Sequence, residues 1–409
     1  MSCFRCIPNL LSPIFEYETA KVVVIKSKKV SITYRFIQLL VLCYIIGYVL
    51  VYEKGYQSFG NVESATMTKV KGVTVTNYSS SDFNFPDSST AALYNRVWDV
   101  AEYVVPHSEN DAFFIITNVV ITPNQTQSTC DEDPTILGAL CDGNNPCPVG
   151  EILLFGNGKT TGKCVPSTQK PGVSVCEVEA WCPVEKDLLP LKGNRVLING
   201  AENYTVLIKN SIAFPSFGPK YRRNNILDTT NSSYLQSCRF DAETDPFCPV
   251  FRIGDIISDA GENFEDMAYK GGIMSITIKW NCDLDWSFMK YCKPEYSFYR
   301  LDDKNSRLSP GLNFRFPVYE GYEKRTLLKA HGIRFVIQTI GKGGKFDLIP
   351  TLLNVGAGSG LMVLAPFVCD YIALRFTKSR ERYKTSKVEY VEGDDAFRVN
   401  REEYQPILS

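Results

Sequence analysis

Several segments with strand composition carry basic or amide side chains two residues apart, a spacing that could build a site for an anion. Lys69 and Lys71 form one such pair, and Asn313 and Arg315 form another. Successive side chains of a strand point to opposite faces, so the two members of each pair share a face. Hydrogen bonds from Lys or Arg to an anion are charge-assisted and roughly twice as strong as neutral ones. Both pairs are therefore candidates for binding phosphate or carboxylate.

Further residues extend this set of candidate ligand residues. Thr205 and Leu207 share a face with Lys209 in the segment YTVLIK, and Lys329 precedes the last strand-like segment. Together the set offers four cationic donors, one amide and one hydroxyl beside an apolar leucine. Such a set suits a polyanion with an aromatic or apolar end. Taken singly, each lysine has the alternative interpretation of a solvated residue on a strand face.

No motif of a known enzyme class accompanies these residues. Gly158-Lys159-Thr160 resembles the end of a phosphate-binding P-loop, but Leu153 stands where the first glycine of that motif would fall. The chain has two histidines and lacks nucleophile, metalloprotease and dinucleotide motifs. We therefore expect no enzyme activity, no metal and no cofactor. The formal net charge of −1 gives no general attraction to nucleic acid.

Ten cysteines in the region of the candidate ligand residues indicate an oxidising compartment. Six of them lie between positions 130 and 182, and two closely spaced pairs follow. An even number of extracellular cysteines is typical of disulfides, and six can pair in many ways. Zinc is the alternative, but no C-x-x-C knuckle is present. The same region holds all four N-glycosylation sequons, at Asn77, Asn124, Asn203 and Asn231.

Two uncharged apolar segments, 36–52 and 348–369, bracket this region, and each is long enough to cross a bilayer as a helix. Lys and Arg are in excess before the first and after the second, which marks both chain ends as cytoplasmic. A buried core helix is the alternative for each segment, but sequons confined between the two favour a membrane topology. We predict a multi-pass plasma-membrane protein. Its parts are a cytoplasmic segment 1–30, a first span 31–52, an extracellular domain 53–347, a second span 348–374 and a cytoplasmic tail 375–409.

The extracellular domain is predicted to be rich in β-strands. Five segments have the β-branched and aromatic composition of strands, namely 64–76, 113–122, 204–209, 272–280 and 333–340. The segment 131–170 is rich in Gly, Pro and Asn. It predicts a loop-dominated head, within 130–182, that disulfides hold together.

Short motifs follow one another in order along nearly the whole chain. They are Tyr17-Glu-Thr-Ala-Lys21, Gly55-Tyr-Gln57, Thr68-Lys-Val-Lys-Gly72, Trp98-Asp-Val-Ala101, Asn124-Gln-Thr-Gln127, Trp181-Cys-Pro183, Ala201-Glu-Asn203, Ile208-Lys-Asn210, Asp245-Pro-Phe-Cys-Pro249, Cys282-Asp-Leu-Asp285, Gly311-Leu-Asn-Phe-Arg315 and Gly344-Lys-Phe-Asp347. With the ten-cysteine pattern, they resemble the ATP-gated ionotropic purinergic receptors, the P2X family. Relative to that family, the segment 78–92 is a longer insert that we expect to be a surface loop. Pro366 is unusual in the second span, where proline tends to kink a helix.

The resemblance implies a membrane-bound homotrimer, or a heterotrimer with related subunits, that binds ATP as an agonist at each of three subunit interfaces. Lysines and the arginine would hold the phosphates, Thr205 and nearby backbone the adenine, and Leu235 the ribose. On one subunit the implied site residues are Lys69, Lys71, Thr205, Leu207 and Leu235, and on its neighbour Asn313, Arg315 and Lys329. The implied disulfides are Cys130–Cys182, Cys141–Cys164, Cys147–Cys176, Cys238–Cys248 and Cys282–Cys292.

The second span is predicted to line a cation pore, because polar and small residues interrupt it. Thr351 is one such polar residue. The resemblance places a closed gate near Leu353, Asn354 and Ala357, and Asp370 matches a family position at the cytoplasmic end. The span carries no charge at mid-membrane, so we expect limited selectivity among Na⁺, K⁺ and Ca²⁺.

Two other classes of protein share parts of this pattern. An acid-sensing or epithelial sodium type of channel also has two spans and a cation pore, although its cysteine pattern differs. A non-conducting, disulfide-rich surface receptor is the other alternative. The polar, glycine-rich second span argues against it, because a simple anchor would be uniformly apolar.

Overall fold

The computed structural model describes residues 27–85, 88–226, 231–306, 309–377 and 380–387. The chain divides into two units, one formed by Met1–Ser58 with Phe346–Ser409 and the other by Phe59–Lys345. Most of the predicted cytoplasmic segment 1–30 and the tail beyond 387 lie outside the described residues. No membrane accompanies the structure, so the predicted domain limits relative to a bilayer stay predictions.

The first unit is built from two long apolar helices. One comprises Lys28–Cys43 and continues as a π-helix over Tyr44–Tyr52. The other comprises Leu348–Met362 and Leu364–Phe376, and a short helix, Arg380–Lys387, follows it. Lys28–Tyr52 and Leu348–Phe376 are each long and apolar enough to cross a bilayer. They exceed the predicted spans 31–52 and 348–374 by a few residues at one end.

Small residues of the second helix allow the first helix to pack closely against it. Gly358 lies so near Ile45 that a Cβ at this glycine would be 2.9 Å from Ile45 Cδ1. Ala365 and Ala373 continue the buried stripe. The helix is interrupted at Val363, three residues before Pro366. A proline ring in a helix clashes with the carbonyl of the residue four positions earlier, which for Pro366 is Met362, the last residue before the interruption.

The second unit is mainly β-sheet. Its strands, numbered in chain order, are β1 Gln57–Asn61, β2 Glu63–Lys71, β3 Thr74–Val75, β4 Val97–Trp98, β5 Ala112–Asp131, β6 Val149–Ile152, β7 Lys159–Pro166, β8 Ser174–Cys182, β9 Thr205–Ala213, β10 Arg222–Asn224, β11 Val250–Arg252, β12 Gly272–Asp283, β13 Glu295–Arg300, β14 Asn313–Glu320 and β15 Lys324–Phe346. Four of the five predicted strand segments are single strands, each longer than predicted, whereas the predicted segment 64–76 is divided after Lys71 into β2 and β3. Short helices connect them, at Ser88–Tyr94, Val100–Tyr103, Ser232–Ser237, Ile253–Asp259, Phe264–Lys270 and Phe288–Tyr291, with 3₁₀ turns at Ser80–Asp82, Asn199–Asn203 and Pro215–Phe217.

Two main sheets organise these strands. A nine-stranded sheet has the order β13-β12-β15-β5-β8-β7-β6, and β1 and β14 also pair with β15. A four-stranded sheet has the order β10-β9-β11, with β2 paired to β9. The small pair β3-β4 stands apart. The first eleven residues of β5 are buried without alternation, as expected for a strand covered on both faces.

A buried hydrogen-bond network joins the two main sheets. The Trp280 indole Nε1 of β12 donates to Asn210 Oδ1 of β9 at 2.8 Å. The Asn210 amide donates in turn to Thr339 Oγ1 of β15 at 2.8 Å and to Thr66 Oγ1 of β2 at 3.1 Å. Trp280 and Asn210 are fully buried. Each buried polar atom of the pair thus has a partner, as a low-dielectric interior requires.

The head contains more regular structure than its composition predicts. The strands β6 and β7 form a hairpin that pairs with β8, so the prediction of a loop-dominated head is wrong for these segments. Cys164 and Cys176 oppose each other across β7 and β8, and each is bonded to a preceding loop cysteine, Cys141 or Cys147. Covalent links on both strands hold the hairpin in register. The five disulfides present are Cys130–Cys182, Cys141–Cys164, Cys147–Cys176, Cys238–Cys248 and Cys282–Cys292, the pairing that the resemblance implies.

In the described part of the segment 78–92, residues 79–81 are exposed as a surface loop would be, but two aromatic side chains are not. Phe83 is 1% exposed and its ring lies 5.7 Å from that of the buried Tyr94. The Tyr78 hydroxyl donates to the Leu197 carbonyl at 3.0 Å. Aromatic side chains in the insert therefore join the core, because each buries a large apolar area.

Replacing Asn210 with leucine is expected to destabilise the second unit. The change leaves the Trp280 N–H buried without an acceptor, which costs about 1–3 kcal/mol of unfolding free energy. We expect a lower unfolding temperature for purified Asn210→Leu in detergent, measured by intrinsic fluorescence. Asn144→Ala, in an exposed loop, is the control and should leave that temperature unchanged. Equal unfolding temperatures for the two variants would contradict the role given to the network.

Candidate functional site

The pairing of β2 with β9 brings four of the predicted ligand residues onto one face. Lys69 is opposite Leu207, and Lys71 is opposite Thr205. Opposed residues of an antiparallel pair point to the same side of the sheet. Both lysines are exposed, and Thr205 and Leu207 are half-buried. These four residues, which we call the lysine face, therefore combine two cations, a hydroxyl and an apolar surface.

The fold fixes the end of β2 that carries Lys71. Gly72 follows with a φ of 154°, and a Cβ there would lie 2.1 Å from Tyr204 Cδ1, so only glycine fits. The Tyr103 hydroxyl donates to the Gly72 carbonyl at 2.9 Å, and its ring stacks on Tyr204 with centroids 4.2 Å apart. Burial raises the pKa of Tyr103, so its hydroxyl keeps the proton that it donates. The chain leaving Lys71 is therefore rigidly held.

Among the described residues, the lysine face has no counter-ion. Neither Lys69 nor Lys71 forms an ion pair within the part of the chain that the structure describes. On the same strands and the same face, Lys209 is opposite the exposed Met67. The face therefore presents uncompensated positive charge to solvent, which attracts anions.

The pairing of β14 with β15 builds a second group. Arg315 is opposite Lys329, and Asn313 is opposite His331. These positions share one face by the same antiparallel geometry. We call Asn313, Arg315 and Lys329 the arginine face. Its strands belong to the nine-stranded sheet, whereas the lysine face belongs to the four-stranded one.

Two carboxylates that the sequence analysis missed hold the cations of the arginine face. Arg315 Nε lies 2.8 Å from Glu185 Oε2, and Arg315 Nη2 lies 2.9 Å from Glu185 Oε1, a bidentate pair. Lys329 Nζ is bonded to Asp187 and lies 3.9 Å from Glu185 Oε1. The pKa of Arg315 is raised, chiefly by the hydrogen bond with Glu185. The usable sequence signal was that a lysine in a largely buried strand needs an acidic partner.

Lys329 and Glu185 are nearly inaccessible, with exposed fractions of 5% and 7%. Such a pair is costly to separate unless another charge replaces the lost partner. Arg315 retains half of its side-chain exposure. Of the two cations of the arginine face, Arg315 is therefore the more accessible to solvent.

The two faces do not meet within one chain. No hydrogen bond or ion pair joins them among residues 27–85, 88–226, 231–306 and 309–377. Leu235 lies half-buried in the helix Ser232–Ser237, which the Cys238–Cys248 disulfide follows. The structure thus forms two separate faces, each with two cations, and shows no bond between Leu235 and either face among the described residues.

The predicted pore residues divide between two faces of the second helix. Leu353 and Ala357 are exposed in the single chain. The half-buried Thr351 and Asn354 instead contact the turn that follows the first helix, where they donate to the carbonyls of Tyr56 and Gly55. Asp370 is half-buried near the other end of the helix. The assignment of a gate to these positions stays a prediction.

The four predicted glycosylation sites are all exposed. Asn203 Oδ1 accepts a hydrogen bond from Arg252 Nη2 at 2.8 Å, and Asn231 caps the helix that follows it through Ser233 N. Exposure of Asn77, Asn124, Asn203 and Asn231 is compatible with a bulky glycan, whose attachment stays a prediction.

A sequence model of the family described as "ATP P2X receptor" matches residues 15–390. The mouse protein named P2X purinoceptor 4 is 47% identical over 394 residues, which covers 95% of this chain and 96% of that protein. The human P2X purinoceptor 5 is 42% identical over 391 residues and covers 94% of this chain and 84% of its own length.

Solved structures agree with these relatives. An invertebrate P2X receptor from the Gulf Coast tick, solved with ATP and Zn²⁺, is 49% identical with a TM-score of 0.78. The match covers 83% of this chain and 99% of the tick chain. The chicken ATP-gated P2X7 receptor channel, solved with the competitive antagonist TNP-ATP, is 38% identical with a TM-score of 0.71. That match covers 85% of this chain and all of the chicken chain.

His331 beside the arginine face should make stability depend on pH. Its two ring nitrogens are buried without a hydrogen-bond partner in the described structure. Burial, and then the charge of Lys329, lower its pKa below the ordinary 6.5. The unfolded chain therefore binds the proton more readily, and stability is lost as pH falls below about 6.5.

His331→Phe should remove this acid-dependent loss. The measurement is the unfolding temperature of the purified protein at a series of pH values between about 7 and about 5. His107→Gln, at an exposed histidine, is the control and should keep the wild-type pH dependence. An unchanged pH dependence in His331→Phe would show that another group carries it.

Proposed function

This chain belongs to the ATP P2X receptor family and is an ATP-gated cation channel, and from that premise we propose which of its residues bind ATP. P2X receptors are trimeric proteins of the plasma membrane. We propose that the lysine face of one subunit and the arginine face of its neighbour close on one ATP molecule. Both chain ends would then be cytoplasmic. The family match over nearly the whole chain leaves no support for an acid-sensing channel or a non-conducting receptor.

The composition of the lysine face is the observation on which this proposal chiefly rests. ATP combines a chain of phosphates with a flat, largely apolar base. Lys69 and Lys71 offer two cations in one row, and Thr205 and Leu207 stand directly opposite them. Phosphate oxygens suit the ammonium groups, while the hydroxyl and the leucine suit the adenine. One exposed strand pair thus matches both ends of the ligand.

The other half of the site has to come from a second chain. The two faces belong to different sheets and share no described bond. A trimer supplies the missing half three times, once at each interface. A site divided in this way also explains gating, because a ligand shifts an equilibrium only through its differential affinity for two states. ATP binds more strongly when the faces approach, so its binding moves one subunit against the next.

Binding requires an exchange of partners at the arginine face. Arg315 gives up its bidentate contact with Glu185 for the phosphates, which carry more negative charge. The released carboxylate is then left near Lys329, which keeps it paired. The exchange replaces one charge-assisted bond by another, so no cation is left buried and unpaired.

The second helix would line the pore, with Leu353 and Ala357 on its exposed face. The described segment 348–369 carries no charged side chain, so we propose weak selectivity among Na⁺, K⁺ and Ca²⁺. ATP is the agonist and not a cofactor. Heterotrimers with related subunits and contacts with membrane lipid are part of the proposal.

Whole-cell current in cells expressing this chain tests the site. We expect an inward current with rising ATP. Lys71→Ala and Arg315→Ala should each raise the half-maximal ATP concentration roughly 10- to 100-fold, because each removes one charged hydrogen-bond donor. Surface labelling must show normal delivery of each variant. Lys279→Ala, at an exposed strand lysine outside both faces, is the control and should respond like the wild type.

Cross-linking tests the division of the site between subunits. Oxidation of a chain with Lys69→Cys and Asn313→Cys should yield covalent subunit oligomers on a non-reducing gel, and ATP should protect against them. Each single cysteine variant is the control and should stay monomeric. Monomers alone from the double variant, or wild-type ATP sensitivity in both Lys71→Ala and Arg315→Ala, would contradict the proposed site.

Removing the carboxylate that competes with ATP should raise ATP sensitivity. Glu185→Gln weakens the hold on Arg315 while preserving side-chain shape, so we expect the half-maximal ATP concentration to fall by a factor of about three or more. Glu179→Gln, at an exposed carboxylate of β8, is the control for a change in net charge. An equal shift in both variants would assign the effect to the general electrostatic field.

A further inference from the structure

The outer end of the second membrane helix is bonded to the chain that leaves the first. Asn354 Nδ2 donates to the Gly55 carbonyl at 2.6 Å. The Thr351 hydroxyl lies 3.2 Å from the Tyr56 carbonyl and 2.7 Å from the Asp347 carbonyl, so it shares its proton between them. The Asp347 backbone N–H donates to the same Tyr56 carbonyl at 3.1 Å. Two side chains and one backbone group thus converge on two consecutive peptide units.

These bonds meet a backbone requirement of the turn that follows the first helix, which ends at Tyr52. The carbonyls of Gly55 and Tyr56 lie beyond the helix and have no partner within it, and an unpaired carbonyl near the hydrocarbon region is costly. The amide of Asn354 and the hydroxyl of Thr351 provide the partners. They also tie the end of one helix to the beginning of the other, because both side chains belong to the first two turns of the second helix.

Gly55 allows this close approach. A Cβ at this position would lie 2.8 Å from the Val49 carbonyl oxygen and 2.9 Å from Asn354 Nδ2. The Gly55 N–H also donates to the Val49 carbonyl at 2.9 Å. One glycine is therefore bonded on one side to its own helix and on the other to the neighbouring helix. A larger residue would displace Asn354 or unwind the end of the first helix.

We propose that Asn354 and Thr351 are positioning residues that couple the two helices of a subunit at their outer ends. The strand β1 begins at Gln57, next to Tyr56, and β15 ends at Phe346, next to Asp347. The bonded carbonyls thus lie where strand becomes helix on both sides. Movement of the strands is transmitted to both helices together, because neither helix can rotate at its junction with the strands without breaking these hydrogen bonds. The inference rests on the ATP-gated channel function and adds the path from strands to pore.

This role separates Asn354 from its neighbours on the helix. The amide of Asn354 is occupied by the first helix, whereas the adjacent Leu353 and the following Ala357 are exposed. Ser359 offers a contrast, because its hydroxyl donates to the Gly356 carbonyl of its own helix at 2.7 Å. The structure assigns Asn354 to coupling within the subunit and leaves Leu353 and Ala357 as the gate candidates.

The test combines Thr351→Val and Asn354→Leu, which remove the donors and keep similar volumes. We expect this double variant to reach the cell surface and to bind ATP within roughly threefold of wild type, measured on purified trimer. Its open probability at saturating ATP should fall by a factor of about five or more, since the coupling bonds no longer favour joint movement. Binding with impaired opening distinguishes lost coupling from a damaged site.

Two controls accompany the double variant. Thr351→Ser keeps the hydroxyl and should retain wild-type open probability, which a purely steric role of the threonine methyl group would not predict. Ser359→Ala removes a hydroxyl that bonds within its own helix and should also open normally.

Two results would overturn the coupling role. One is a double variant that opens like the wild type, which would show that the bonds are dispensable. The other is a double variant that conducts current without ATP or has an increased ATP sensitivity, which would show that the bonds oppose channel opening. Absence of ATP-evoked current in the wild type is a separate result that contradicts the channel function itself.

Discussion

Cationic side chains that must attract a polyanion also attract the carboxylates of their own chain, and this competition shapes the site. On the lysine face, Lys69 and Lys71 lie on an exposed strand pair and form no ion pair among the described residues. On the arginine face, burial of Lys329 makes a counter-ion necessary, and Glu185 and Asp187 provide it. The two halves therefore meet a ligand differently. One offers free charge, and the other requires an exchange of partners.

The surrounding sheets hold the site residues in place by fixing the register of the strands that carry them. A slip of β2 by one residue against β9 would turn Lys69 and Lys71 to the buried side and expose Thr68 and Val70. The cost of that burial holds the register. Disulfides do the same for the head, where apolar burial is scarce. The bonds of Asn210 hold the two sheets together at a point that apolar packing alone would not specify.

A different constraint governs the helices. In a bilayer, backbone groups need partners within the protein, so a helix end near the hydrocarbon region must be supplied with donors. Asn354 and Thr351 bond the carbonyls of Gly55 and Tyr56 in the turn that follows the first helix. In our proposal, polar residues of the second helix therefore complete the backbone of this turn, and the exposed face of the helix is the permeation path.

The sequence by itself determined the two spans, the strand-rich region between them and the pairs of ligand residues that share a face, because hydrophobic length and the two-residue period of strands are local properties. The lysine pair could be recognised for the same reason. Only the tertiary structure decided which residues meet. It places Lys71 opposite Thr205 and Arg315 opposite Lys329. It also pairs Glu185 with Arg315 and bonds Asn354 to Gly55. Apart from the hairpin contact of Arg315 with Lys329, these contacts join residues far apart in the chain, and their register depends on packing that no local pattern encodes. The aromatic insert at 78–92 and the head hairpin were misjudged on the same ground, because burial and disulfide geometry outweighed a loop-like composition.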